Sequence, residues 1–379
     1  MEGFTKMKRA LSLLFFILFF PESTWALSLS GNLKAYPIIS DNIYYVDLLK
    51  SFQGSAKLQV QENIESNIKI EAAYELTTFY QKYFSAESAI SSYRATDLNV
   101  YLHKDNQFTG YHNSIMQNLN RLNMSATIGS IDFTVGRQPI AFGSAKSINP
   151  TDVLTPFAIN TIDKEERTGV DAVTAKIPLI GLSTLEVGAI AGKDLLIDND
   201  AFYLRPKFNF YHFDLAMTVM KFNKKELIGL DIQHPIEDAG FWIESAFVNE
   251  DSVKNKDFIR STVGLDYKFQ STLYLCLEYH YNGISSKTVY PFQESFVYLK
   301  DKHYEIITAS YEFTPLFVGT LQTFFNNSDY STYSNIKFDY NLTDNIYLGV
   351  GSILGIGDKT TTELGKLGKT YYSSLRYYF

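Results

Sequence analysis

Cysteine is nearly absent: Cys276 stands alone among 379 residues, so no intramolecular disulfide can form. Beyond the N-terminal segment no apolar run approaches the roughly 20 residues that a membrane-crossing helix needs. Enzyme signatures are missing as well. There is no His-Glu-x-x-His zinc motif, no Gly-x-Ser-x-Gly elbow and no Walker loop; Gly188 to Lys193 has the wrong glycine spacing and no Ser or Thr after its Lys. His280 and His303 are the one histidine pair expected to approach each other, at a rim, and they lack an acid or a nucleophile. Asp198-Asn199-Asp200 lacks the following Gly and Glu of a calcium loop. The net charge of -7 gives no support to nucleic-acid binding. No catalytic residue, metal or cofactor is therefore expected, and no Pro/Gly/Ser linker or low-complexity tract divides the chain.

What is present begins with an export signal. Lys6, Lys8 and Arg9 precede Ala10 to Phe20, apolar except for Ser12; Pro21 breaks the run and Thr24-Trp25-Ala26 offers a small-residue cleavage site. Residues 1–26 read as a secretory signal peptide and 27–379 as one domain. An exported chain of this size without disulfides needs another source of stability, and a closed hydrogen-bond ladder in a bilayer supplies one.

The remainder alternates with period two. Ile346, Leu348, Val350 and Leu354 interleave with Tyr347, Gly349 and Gly351; Ile259, Val263, Leu265 and Phe269 with Arg260, Thr262, Asp266 and Lys268; Phe202, Leu204, Phe208 and Phe210 with Tyr203, Arg205, Lys207 and Asn209. Each run is about ten residues, the length a tilted strand needs to cross a bilayer. Apolar residues diluted one-to-one by polar ones explain a mean hydropathy of only -0.11, and the 15 % aromatic content suits girdles at both membrane interfaces. Short links at 128–130, 178–181, 235–239, 270–271 and 341–344 alternate with long ones at 141–167, 283–302 and 355–368, which places the short links and both termini in the periplasm.

About fifteen strands follow from Leu119 onward, and Leu29 to Tyr36, Gly54 to Glu62 and Asn67 to Thr78 bring the total to about 18, with 16 as the alternative count. A further candidate at Asp97 to His103 would break even parity, so it is assigned to a long outer loop from Phe79 to Asn118. The expected fold is an all-β transmembrane antiparallel barrel.

The chain ends within a strand: Tyr371, Leu375, Tyr377 and Phe379 share one face, and Tyr372, Ser374, Arg376 and Tyr378 the other. This terminus resembles the closing strand of bacterial outer-membrane β-barrels. The resemblance implies location in the outer membrane of a Gram-negative-type bacterium, contact with membrane lipid and lipopolysaccharide, and recognition of the strand ending in Phe379 by the assembly machinery. A second segment carries a narrower likeness: Gly136-Arg137-Gln138, then Asn149-Pro150-Thr151-Asp152, then Gly169-Val170-Asp171. It is similar to a motif of a porin-like outer-membrane family, which implies a channel architecture more than any particular substrate.

A barrel of 16 to 18 strands is too wide for its own side chains to fill, so an aqueous channel remains unless something plugs it. Lumen-facing Lys57, Lys69, Arg121, Arg205, Lys207, Arg260, Lys268, Lys337 and Arg376 are offset by Glu71, Glu75, Asp132, Glu186, Asp214, Asp231, Glu244, Asp266, Glu278 and Asp339, so ion preference stays open. The loop from Gly143 to Arg167, stiffened by Pro150 and Pro156, is the candidate constriction. Arg137 points toward lipid by simple alternation, and a bulge at Gly136 would turn it inward to pair with Asp152, Asp163, Glu165 or Asp171. With Arg205 and Lys207, these are the candidate pore residues. The expectation is passive diffusion of small polar solutes or ions, with an outer-membrane enzyme and a structural or adhesive barrel as alternatives; the solute and a homotrimeric state stay open.

Overall fold

The computed structural model describes residues 27–42, 45–81, 93–94, 101–106, 111–250, 257–283 and 299–379. The expected signal peptide lies outside the described residues. In chain order the strands are β1 (Ser28–Asn42), β2 (Tyr45–Glu65), β3 (Ile68–Gln81), β4 (Tyr101–Asn106), β5 (Tyr111–Ile128), β6 (Ile131–Gln138), β7 (Val170–Pro178), β8 (Thr184–Ala191), β9 (Ala201–Phe210) and β10 (Phe213–Phe222). They continue as β11 (Lys225–Ile236), β12 (Ala239–Glu250), β13 (Phe258–Lys268), β14 (Tyr274–Asn282), β15 (His303–Thr314), β16 (Phe317–Asn326), β17 (Thr332–Thr343), β18 (Ile346–Ile356) and β19 (Lys369–Tyr378).

Neighbours in sequence pair antiparallel, and β1 pairs with β19, so the sheet closes on itself. The exception is β4. β5 pairs with β3 along its length on one edge, and on the other edge its outer half pairs with β4 and its inner half with β6, so β4 is an arm standing above the short β6. The ring therefore holds 18 strands, the even number that antiparallel closure requires. The sequence candidate at 97–103 overlaps this arm at residues 101–103, outside the ring, and its residues 97–100 lie outside the described residues. Boundaries differ from expectation in two respects: β1, β2, β3 and β5 run past their apolar alternation, and the link between β3 and β5 spans 82–110 instead of 79–118. Ladder bonds continue beyond the height where side chains must be apolar, so hydrophobic pattern underestimates strand length there.

The two faces separate cleanly. On β11, Ile228 and Leu230 are exposed outward whereas Leu227 and Asp231 are buried inward. Tight turns use left-handed backbone: Tyr211-His212 and Asn223-Lys224 each place two consecutive residues at positive φ, the geometry that matches strand twist in a two-residue hairpin. At the short-turn end an aromatic rim forms, with Tyr311 and Phe313 rings 5.0 Å apart, Phe313 and Phe317 5.2 Å, and Tyr377 and Phe379 5.8 Å. The seam is sealed by a reciprocal pair of backbone bonds, Gly31 N to Phe379 O at 2.8 Å and Phe379 N to Gly31 O at 3.0 Å.

Candidate functional site

The connection from β6 to β7, residues 139–169, lies inside the barrel. Its polar contacts are with inward-facing side chains on most of the ring, and its apolar side chains complete two clusters against the wall. Ile140, Phe142, Val153 and Leu154 pack with Val170, Ile190, Met220, Phe222, Leu227, Val248 and Phe258. Phe142 meets the Tyr203 ring edge-on at 4.9 Å, under the Arg205 guanidinium at 5.4 Å. Ile148, Ile159 and Ile162 border a second cluster around Tyr304, Phe324, Tyr333 and Tyr372.

The first half of the loop is fastened by one carboxylate. Glu244, on β12 and fully buried, accepts hydrogen bonds from Ser144 N and Ala145 N at 3.1 Å, Thr151 N at 2.8 Å and Thr151 Oγ1 at 2.6 Å. Gly143 lies directly against this carboxylate at φ +93°, a conformation and a proximity that leave no room for a Cβ. Around it, Ser144 Oγ donates to Asp231, Lys146 N to Glu278 Oε1 at 2.8 Å, and Thr262 Oγ1 to the Ile148 carbonyl at 2.9 Å.

The second half crosses to the opposite wall, where the charges reverse. Lys34 on β1 reaches Asp163 at 2.8 Å and Glu165 at 2.6 Å; Arg376 on β19 reaches Glu165 at 3.1 Å; Lys57 on β2 reaches Glu166 at 2.5 Å. Arg121 on β5 donates to the Arg167 carbonyl at 3.0 Å. Arg167 itself pairs with Asp152, tying the end of the second half to the first, and stacks its guanidinium over Phe157 at 5.1 Å. Burial pushes the Asp152 carboxyl up to about 6, against the pull of Arg167. Burial also works to raise Glu165, but hydrogen bonds from Lys34 and Tyr378 outweigh it and hold that carboxyl below the usual range.

The candidate pore residues fall into separate groups. Asp163 and Glu165 meet Lys34 and Arg376, and Asp152 meets Arg167. Arg137 forms a two-pronged pair with Asp171, directly opposite on β7, at 2.7 and 2.9 Å, and donates to the Leu119 carbonyl at 3.1 Å. Gly136 takes φ +114°, yet the β5–β6 and β6–β7 ladders run through it without a register shift. Arg137 thus keeps the strand parity of Val135, and its side chain is buried. Arg205 sits 3.5 Å from both Glu186 and Asp231, and Lys207 2.7 Å from Glu186, all on the wall.

Lys34, Tyr36 and Glu166 are absent from the sequence-derived set. Their signal was present for β1, where Asn32, Lys34 and Tyr36 alternate with Leu33 and Ala35. Arg121, one of the lumen-facing charges, serves the loop, and Asp132 accepts from Thr127 at 2.7 Å. The two rim histidines do not form a pair. His280 is buried inward against Thr262 at 2.8 Å, whereas His303 bonds the outward Tyr279 hydroxyl at 2.6 Å.

No family model and no curated protein matches the sequence. Solved structures do match. OccAB4 of Acinetobacter baumannii superposes with a TM-score of 0.59 at 12 % identity, covering 93 % of this chain and 98 % of that one. A BenF-like porin from Pseudomonas fluorescens Pf-5 gives 0.57 at 11 % identity, and OpdK of Pseudomonas aeruginosa, solved with vanillate, gives 0.57 at 8 %; each again covers 93 % of this chain and 98 % of the other. At such identities the likeness is one of fold, and the chain shares the closed 18-stranded antiparallel barrel of these porin-type structures.

Proposed function

We propose that the protein is an outer-membrane channel through which small polar solutes or ions diffuse passively, with the loop from Gly143 to Arg167 as its constriction. One observation carries this reading: a ring wide enough to hold water, apolar outside and charged inside, has a long connection laid across its interior and held by charges from opposite walls. Diffusion through such a passage needs no chemical step. The loop narrows the lumen, and the unequal walls set which solutes pass: Lys34, Lys57, Arg121 and Arg376 stand on one side, Asp231, Glu244 and Glu278 on the other. Rings and walls of fixed charge select ions by the potential they impose on a narrow path.

The same reading places the chain in the outer membrane of a Gram-negative-type bacterium, with lipid and lipopolysaccharide around it, assembly directed by the strand that ends in Phe379, and association as a homotrimer left to measurement. Small carboxylates are the first solutes to try, because OpdK was solved with vanillate and one wall here is basic. The test is conductance in planar bilayers for the full chain and for a deletion of residues 143–167, each verified as folded by heat-modifiable gel mobility. Conduction that increases on deletion supports the assignment. Equal conductance in the two proteins would place the loop outside the path, and no current from either folded protein would end the channel reading.

A further inference from the structure

The two halves of the inner loop are held by different physics. Glu244, which fastens the first half, has no solvent exposure, and a cluster of apolar side chains closes over that half. The second half sets Ile159 and Ile162 at the border of the second apolar cluster and takes a hydrogen bond from the Tyr333 hydroxyl to the Ile159 carbonyl at 2.9 Å; beyond these it rests on ion pairs whose loop carboxylates are partly open to solvent, with Glu165 and Glu166 side chains 38 % and 35 % exposed. Their cations are buried, with Lys34, Lys57 and Arg376 side chains 3, 7 and 10 % exposed, so salt reaches these pairs from the carboxylate side.

The seat beneath the second half is also incomplete. A cavity of about 30 Å³ lies between residues 162–165 and the wall of β1, β17 and β19. Three inward groups in successive inward positions on β19 border it, and the Tyr372 hydroxyl, the Ser374 hydroxyl and the Arg376 Nε are buried there without a hydrogen-bond partner among the described residues. A polar cavity of this size admits one water molecule, so residues 162–165 are not packed directly onto the wall at this point.

We propose that residues 159–166 form a latch: they lift from the basic wall while the first half stays fastened, switching the pore between a narrow and a wide state. The Arg167–Asp152 pair marks the fixed end, and Lys34, Lys57 and Arg376 form the catch. Lifting uncovers these cations, so the wide state is also the more anion-selective one. This proposal rests on the channel reading.

Two measurements on the full chain test it. The first is single-channel conductance of wild type and of the triple variant Asp163→Asn/Glu165→Gln/Glu166→Gln between 0.1 and 1 M KCl. The wild type should rise more steeply than bulk KCl conductivity, and the variant should follow bulk conductivity from a higher starting level. The second measurement reads motion directly, because charge removal alone also alters conductance. In a Cys276→Ser background, Ser374→Cys places a thiol beneath the latch. Its modification by a charged methanethiosulfonate should accelerate about tenfold from 0.1 to 1 M KCl, as screening shortens from about 10 to 3 Å, and should be fast at both salts when the three carboxylates are neutralised. Salt-independent modification, with currents that follow bulk conductivity in both proteins, overturns the latch and leaves the channel standing. No current from either folded protein overturns both.

Discussion

Replacing Glu244 by Ala should unseat the inner loop without opening the barrel. The substitution leaves three backbone N–H groups, on Ser144, Ala145 and Thr151, without their acceptor, together with the Thr151 hydroxyl. A buried donor stripped of its partner costs about 1 to 3 kcal/mol. Because water can enter from the lumen, the low end applies to each N–H, for about 3 kcal/mol in all. That amounts to about two orders of magnitude in the ratio of seated to unseated loop. The ladder bonds of β12 to β11 and β13 are backbone bonds and survive the change. The assay is trypsin digestion from the outer side, with mass-spectrometric detection of cleavage at Lys146, next to the fastened backbone. A seated first half is protected, and the variant should be cut at this site while still showing heat-modifiable mobility. A folded Glu244→Ala protein that resists trypsin as the wild type does would refute the assignment of Glu244 as the fastening point.

Gly143→Ala should act in the same direction, since its Cβ would strike the Glu244 carboxylate and its φ of +93° is strained for alanine; loosening by about 1 to 3 kcal/mol is expected in the same protection assay. Arg137→Ala should instead lower the temperature of the heat-modifiable transition, with about 3 kcal/mol lost from the outer end of β6 and β7 as the two-pronged pair is broken, while conductance stays unchanged. Acid should loosen the second half of the loop. The Glu165 carboxyl lies below its unfolded value near 4.3, so its contribution is full above about pH 4.3 and is lost as pH falls through the lower folded value. Conductance should therefore rise on acidification below about pH 4.3, and the step should shrink in Glu165→Gln.

The barrel was legible because each strand repeats one simple statement, apolar out and polar in, and tight turns punctuate it. Even the arm β4 could be set apart by parity. The inner loop has no period, so its path was not legible. Glu244 looks like Glu278 or Asp231 in the sequence, one inward carboxylate among many, and only the approach of the loop backbone distinguishes it. Arg137 was readable as a charge needing a partner, and strand register decided that the partner is Asp171. Lys34 stands on the polar face of β1, which looks like any lumen-facing strand in the sequence and carries the catch for Asp163 and Glu165.

The seam between β1 and β19 also governs how the molecule comes into being. Every other ring pairing joins strands linked by a connection, and can zip locally as soon as both are present. The last pairing must bring Gly31 to Phe379 across nearly the whole described chain, so loop-closure entropy delays it until the rest of the sheet has curled. Until then two ladder edges are open, each a template for pairing with another copy. Gly31 keeps the join tight: a Cβ there would strike the Lys57 carbonyl and the Phe379 ring. A side chain at that one position would leave the sheet formed but slow to close, and the yield of monomeric barrel would then fall with protein concentration during refolding.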